Sequence, residues 1–213
     1  MERKPAFLKG KKWSIMPFMG IPGQLTYAIS LLPDQEAAAR IRTAVQELAR
    51  HSGNNFMVEH AVPPHLTLGV FHAQETDLAL LQELFKEFSE RARGALQKDF
   101  CLEFFGADKF LDKVIFLSLG NPEEAKKKNP ALFELNAALH KIFLERFEPG
   151  DNRNYIPANW HPHIALSVKM NAAQFKKGFD FAQSLCLPKR AAAASLSLAQ
   201  CKPYKEIERV VLY

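Results

Sequence analysis

Two segments constrain this chain more than anything else in it: Pro63-Pro64-His65-Leu66-Thr67-Leu68-Gly69-Val70 and, about a hundred residues later, Trp160-His161-Pro162-His163-Ile164-Ala165-Leu166-Ser167-Val168. Each reads proline, histidine, apolar residue, small residue, leucine. Side chains alternate faces along an extended strand, so His65 and Thr67 share one face while Leu66 and Leu68 turn to a core. His163 and Ala165 repeat that layout over Ile164 and Leu166, and Ser167 falls on the histidine face about 7 Å beyond Ala165. Two such strands side by side hold two imidazoles over one cleft, with the Thr67 hydroxyl beside them.

The surroundings repeat as well. A β-like run at 26–32 precedes a helical pattern and the first histidine strand; another at 114–119 precedes a helical pattern and the second. Each histidine strand is followed by one more helical pattern and at least one more strand. The intervals differ by about a loop's length, so this is a duplicated unit and not a solenoid period. Asp34 caps a first helix with Ala37, Ile41, Ala44, Val45 and Leu48 on one face, closed by Gly53. Thr76 or Asp77 opens the next, with Leu78, Leu81, Leu84, Phe85 and Phe88 inward. Leu132, Leu135, Leu139, Ile142 and Phe143 form a third stripe. Asn171 caps a fourth helix with Phe175, Phe179, Ala182 and Leu185. A short strand is expected at 56–58, strands at 100–105 and 114–119 joined by a loop over 106–112, and closing strands at 194–199 and 207–212. The long loop 148–157 leads into the second histidine strand, which makes Arg153 and Tyr155 candidates for substrate contact. Trp160 is either core or a surface for a base to stack on.

Net charge matters only once located. Of the formal +5, +4 falls within residues 1–24, where Arg3, Lys4, Lys9, Lys11 and Lys12 meet only Glu2. The remainder is nearly neutral, which excludes a broadly basic nucleic-acid clamp and leaves local phosphate attraction. Residues 1–24 read as a basic, apolar arm that covers an edge, and Lys126-Lys127-Lys128 as a solvated cluster. Cys101, Cys186 and Cys201 are too few and too scattered for a disulfide framework and are expected as buried free thiols. No segment reads as a signal peptide or membrane span, so a reducing, cytoplasmic location is expected, for a monomer with no protein partner evident. His51, His60, His72 and His140 read as surface or helix histidines without partners.

On the two histidine motifs the sequence resembles the 2H phosphoesterases, in particular LigT-like, or 2′-5′ RNA ligase-like, RNA cyclic phosphodiesterases. Their mark is a pair of His-x-Thr/Ser-x motifs. His65-Leu66-Thr67-Leu68 matches in full, and His163-Ile164-Ala165-Leu166 matches except at Ala165. The resemblance covers residues 25–213 as one domain, with its first lobe's motif at 65–68 and its second's at 163–166. It implies an α+β fold: a bilobed, pseudo-twofold duplicated unit of mainly antiparallel sheets, helices packed outside, and a central cleft. It also implies His65 and His163 as catalytic acid and base, Thr67 as a phosphate ligand, no metal and no cofactor, and an RNA end or nucleotide cyclic phosphate as partner.

The chemistry suits the residues. Opening a cyclic phosphodiester requires one group to take a proton from water and another to give one to the departing sugar oxygen, and histidine does both near neutrality. Thr67 would steady a non-bridging oxygen. Two other readings compete. Because Ala165 lacks the second hydroxyl, the chain could be a phosphate-binding module with weak or no turnover. His161 and His163 could instead carry zinc, although catalytic zinc ordinarily takes three protein ligands.

Overall fold

The computed structural model describes residues 23–98 and 100–213; the expected arm of residues 1–24 lies outside them apart from its last two positions. The first half of the chain runs β1 (Gln24–Pro33), α1 (Gln35–Ser52), the single-turn α2 (Phe56–Glu59), β2 (Leu66–Gln74), α3 (Leu78–Ala95) and β3 (Cys101–Glu103). The second runs β4 (Gly106–Phe110), β5 (Val114–Ser118), α4 (Pro122–Lys128), α5 (Pro130–Phe143), β6 (Glu148–Pro149), β7 (His163–Ser167), α6 (Ala172–Ser184), β8 (Arg190–Cys201) and β9 (Tyr204–Val211). The fold is α+β. Its strands form one continuous, open sheet ordered β3-β8-β1-β2-β7-β5-β4, with β9 beside β8 and β6 beside β2, and every pairing is antiparallel.

Local chemistry accounts for the helices. Asp34 Oδ1 accepts from the Ala37 amide at 2.9 Å, which satisfies a free donor of α1, and Gly53 ends the helix at φ 77°. Asn121 and Asn171 cap α4 and α6 through reciprocal bonds with Glu124 and Gln174. The lysine run lies in the last turn of α4, and Lys128 Nζ sits 4.1 Å over the Phe105 ring. The segment 56–58, expected as a strand, is helical because Asn54 Oδ1 takes the Phe56 amide and turns the chain. The expected loop 106–112 begins instead as β4, an edge strand that folds back on β5 through a turn at Leu111 and Asp112.

The duplication is visible in the pairing register. In the first half Ser30 faces Thr67 and Ile29 faces Gly69, so Leu68 is an extra residue that bulges β2 against β1. In the second half Phe116 faces Ala165 and Ile115 faces Ser167, so Leu166 bulges β7 against β5. The same irregularity thus occurs at equivalent points of both units. A bulge bends its strand and redirects the side chains beyond it. Ser167 is therefore on the face of Ile115, which is fully buried and reaches α6 at Gly178, and not on the histidine face as strict alternation had implied.

The two units also exchange helices. Helix α1, from the first, packs on β7 and α6 of the second; α5, from the second, packs on β2 and α3 of the first. Gly69 permits this close approach, since a Cβ there would stand 2.8 Å from Leu139 of α5. The core between helices and sheet holds Leu66, Leu68, Ile164 and Leu166, all at 0–1 % exposure. The opposite faces of β2 and β7 are left for the histidines.

Cys101 and Cys201 are half-buried and Cys186 is exposed, which corrects the expectation of buried thiols. Among the described residues no helix is long and apolar enough to cross a membrane.

Candidate functional site

The histidine strands meet at the centre of the sheet through one registered pair, Leu66 with Ile164. Continued by one residue in each direction, that antiparallel register sets His65 across from Ala165 and Thr67 across from His163. All four residues line a single cavity of about 600 Å³, together with Tyr155 and His161.

Each imidazole is held in the same way. His65 Nδ1 lies 2.7 Å from the Pro63 carbonyl oxygen, and His163 Nδ1 lies 2.8 Å from that of His161. A carbonyl can only accept, so Nδ1–H is the donor in both rings, and Nε2 carries the lone pair of each neutral ring. The prolines 64 and 162 between ring and carbonyl fix the backbone that makes this contact. Burial pushes the pKa of His65 below the ordinary histidine value, against a smaller upward pull from the Pro63 carbonyl. That of His163 falls to about 4, chiefly through burial; the His161 carbonyl bond pulls it partway back up, and repulsion from His161 and His65 adds smaller downward pushes. Phe110 stands edge-on to His163 at 5.0 Å and Phe116 lies tilted to it at 5.1 Å, an aromatic frame on one side of the ring.

Thr67 and Tyr155 form the third side. The Tyr155 phenol is pushed up to about 12, first by burial and then by Asp151, while the adjacent Thr67 side chain pulls it partway back. It therefore remains a protonated donor throughout the neutral range. The backbone around these residues is braced by side chains where strand pairing stops. Trp160 Nε1 donates to the Thr67 carbonyl at 3.0 Å, and Asn136 Nδ2 donates to the carbonyls of Leu68 and Tyr155 at 2.7 and 3.0 Å. Asn136 is 1 % exposed. Nothing in the sequence reading singled it out, yet a lone amide on the apolar stripe of α5, between Leu135 and Leu139, was the available signal.

The other sequence candidates fall elsewhere. Trp160 is 3 % exposed and packs edge-on against Phe133, so it is a brace in the core and offers no face to a base. Arg153 is exposed, at φ 63°, and is not among the residues lining the cavity. Ser167 is buried with its Oγ unpartnered among the described residues, which removes it as a replacement for the hydroxyl absent at Ala165. His140 is a helix histidine, on α5, but a buried one with a partner, its Nδ1 against the Asn136 carbonyl. His51 stacks on Phe181, His60 on Phe56, and His72 contacts Thr26 Oγ1. His161 lines the cavity next to His163, with Nε2 buried and unpartnered; among the described residues no group of three or more His, Cys, Asp or Glu side chains is placed to hold a metal.

The sequence of residues 32–200 matches the family model described as the 2′-5′ RNA ligase superfamily. No curated protein matches the chain. Among solved structures, it is similar to Escherichia coli LigT complexed with phosphate, at 18 % identity and TM-score 0.45, over 89 % of this chain and 98 % of that one. The same protein complexed with 3′-AMP matches at 15 % identity and TM-score 0.47, over the same shares of the two chains.

Proposed function

Since the chain belongs to the 2′-5′ RNA ligase superfamily, within the 2H phosphoesterases, we propose that its central cavity is the site of a metal-independent phosphodiesterase acting on RNA ends or nucleotides. The bond we assign to it is a 2′,3′-cyclic phosphate, or a 2′-5′ linkage. The observation that carries the reading is the matched pair of rings: both hold Nδ1 on a carbonyl two residues upstream, and both border one cavity.

In this mechanism the neutral Nε2 of one imidazole takes a proton from water as the oxygen attacks phosphorus. The other ring, protonated, gives its proton to the departing 3′ oxygen, and the product is a 2′-phosphomonoester. Water is added across one P–O bond and no oxidant, metal or cofactor enters the balance. Positioned acid and base groups each contribute roughly 10²- to 10⁴-fold in rate. Both rings are neutral near pH 7 in the free protein because burial opposes their charge, and an anionic phosphate between them restores the proton affinity of whichever serves as acid. Thr67, and the Tyr155 phenol against it, donate to a non-bridging oxygen as negative charge gathers there.

Hydrolysis of a 2′,3′-cyclic nucleotide that persists in chelator and is lost in both His65→Ala and His163→Ala tests this reading; full activity in both variants overturns it. One observation favours a second reading, a phosphate-binding module: Ala165 offers no hydroxyl, and its cross-strand neighbour is Phe116. Phosphate affinity without turnover is its signature.

A further inference from the structure

A second cavity of about 580 Å³ opens beside the first and shares His65, Tyr155 and Phe56 with it. It lies over the first unit's part of the sheet, where the floor is made of small residues: Ala28 and Ser30 on β1, Ser197 and Ala199 on β8. The pairing register aligns part of this floor with the catalytic row. Thr67 faces Ser30, Ser30 faces Ser197, and Ser197 faces Arg209, so one line of polar side chains crosses β2, β1, β8 and β9. With strands about 4.8 Å apart, Ser197 stands about 10 Å from Thr67.

The members of this row differ in what they have free. Ser197 Oγ is taken by Glu206 at 2.9 Å, and Glu206 is in turn gripped by Arg209. Ser30 makes no side-chain hydrogen bond among the described residues and is one of the residues lining the cavity. Two aromatic residues, Phe56 and Tyr204, stand on the walls. Lys169 and Lys202 are the charged residues of the lining, with no carboxylate among the lining residues, and Lys169 Nζ rests 4.1 Å over the Phe56 ring. The first cavity is the reverse, with Asp151 its one formally charged lining residue apart from the histidines.

We infer that this second cavity is a nucleotide subsite, so that the substrate is an RNA strand with one nucleotide at the histidine pair and its neighbour over Ser30, Ser197 and Tyr204. The inference rests on the phosphodiesterase reading and narrows it from mononucleotides to strands. A base stacks on Tyr204, the ribose meets the free Ser30 hydroxyl, and the neighbouring phosphate lies near Lys169 and Lys202. The mostly apolar walls and cationic rim suit that occupant, and its volume is within the roughly 300–1,000 Å³ of ordinary ligand sites.

The test is calorimetric binding of adenosine 2′-monophosphate and of the dinucleotide ApA carrying the same 2′-phosphate to the full-length chain. The dinucleotide binds at least tenfold more tightly. That ratio falls to within twofold of unity in Tyr204→Ala, which alters a wall residue of 39 % exposure, and in Ala199→Leu, which fills the floor. Equal affinities in the parent chain, or a ratio unchanged in correctly folded Tyr204→Ala, overturn the subsite, as does failure of either ligand to bind. The readout needs no turnover. Absence of cyclic-phosphate hydrolysis would therefore sink the catalytic reading while leaving the affinity ratio to decide the subsite.

Discussion

Ser30 and Phe116 are structural equivalents. Each lies on the strand beside a histidine strand, directly across from the residue two after the histidine, at the edge of the same β-bulge. The first unit thus presents a small hydroxyl where the second presents an aromatic ring that stacks on Phe110 at 4.1 Å. A duplicated frame has in this way become a cleft with one polar and one aromatic side.

Ala165→Thr restores the hydroxyl that the second motif lacks. Residue 165 borders open space in the central cavity, so the added atoms have room. Turnover of a 2′,3′-cyclic nucleotide rises several-fold, within the roughly 10²- to 10³-fold limit set by a well-placed oxyanion donor. Ala165→Val adds similar bulk without a hydroxyl and gives no rise. Equal rates in the parent and the Thr variant would show that the group is not needed.

The pH profile follows from the direction of two shifts. His65 and His163 are both lowered by burial, the latter to about 4, so above pH 6.5 both rings of the free protein are neutral and the acid form is scarce. The profile of kcat/KM is a bell with its maximum below about pH 6.5, falling close to tenfold per pH unit on the alkaline side. A flat response between pH 6.5 and 8.5, measured on a cyclic mononucleotide, contradicts the assignment.

Stability moves with the same groups. A histidine whose folded pKa lies below its unfolded value binds fewer protons when folded, so stability is complete above about pH 6.5 and declines as pH falls toward the folded value. His65, His140, His161 and His163 are all lowered. His163 alone accounts for about 2 kcal/mol between pH 7.5 and pH 5, where most carboxylates remain ionised. Urea midpoints should drop across that interval. A midpoint independent of pH would mean that these rings are not buried neutral.

Asn136→Ala removes both bonds of a buried amide and strands the carbonyls of Leu68 and Tyr155. We expect a loss of about 2–4 kcal/mol in urea unfolding. KM should rise at the same time, because Tyr155 is no longer tied to the strand that carries Thr67. Trp160→Phe, which gives up the single bond to the Thr67 carbonyl, costs about 1–2 kcal/mol. An Asn136→Ala protein with parental stability and KM would remove the bracing role.

Much of this was legible in the amino-acid sequence for a plain reason. The helices carry strong periodic stripes and local caps, and the two proline-histidine strands mark themselves by repetition. What escaped was decided by partners distant in the chain. Residues 106–110, Gly-Ala-Asp-Lys-Phe, have little strand propensity and become β4 through pairing with β5. The side on which Ser167 lies turns on a bulge that no local pattern encodes. Trp160 was legible as an aromatic residue near the motif, but its use as a donor to Thr67 depends on the gap left where β2 and β7 part after one pair. The cavity over Ser30 and Ser197 joins residues from strands at opposite ends of the chain.

Because α1 rests on β7 and α5 rests on β2, the molecule is a clasp in which each side carries the other's tongue. A polypeptide ended after α3 would strip α1 of β7 and α6, and the remainder would lack β2 and α3 as a bed for α5. The duplicated halves, however alike, each cover a helix face of the other. Both histidines come together only where the two halves meet, beside the single registered pair of Leu66 and Ile164, so the site belongs to neither half alone.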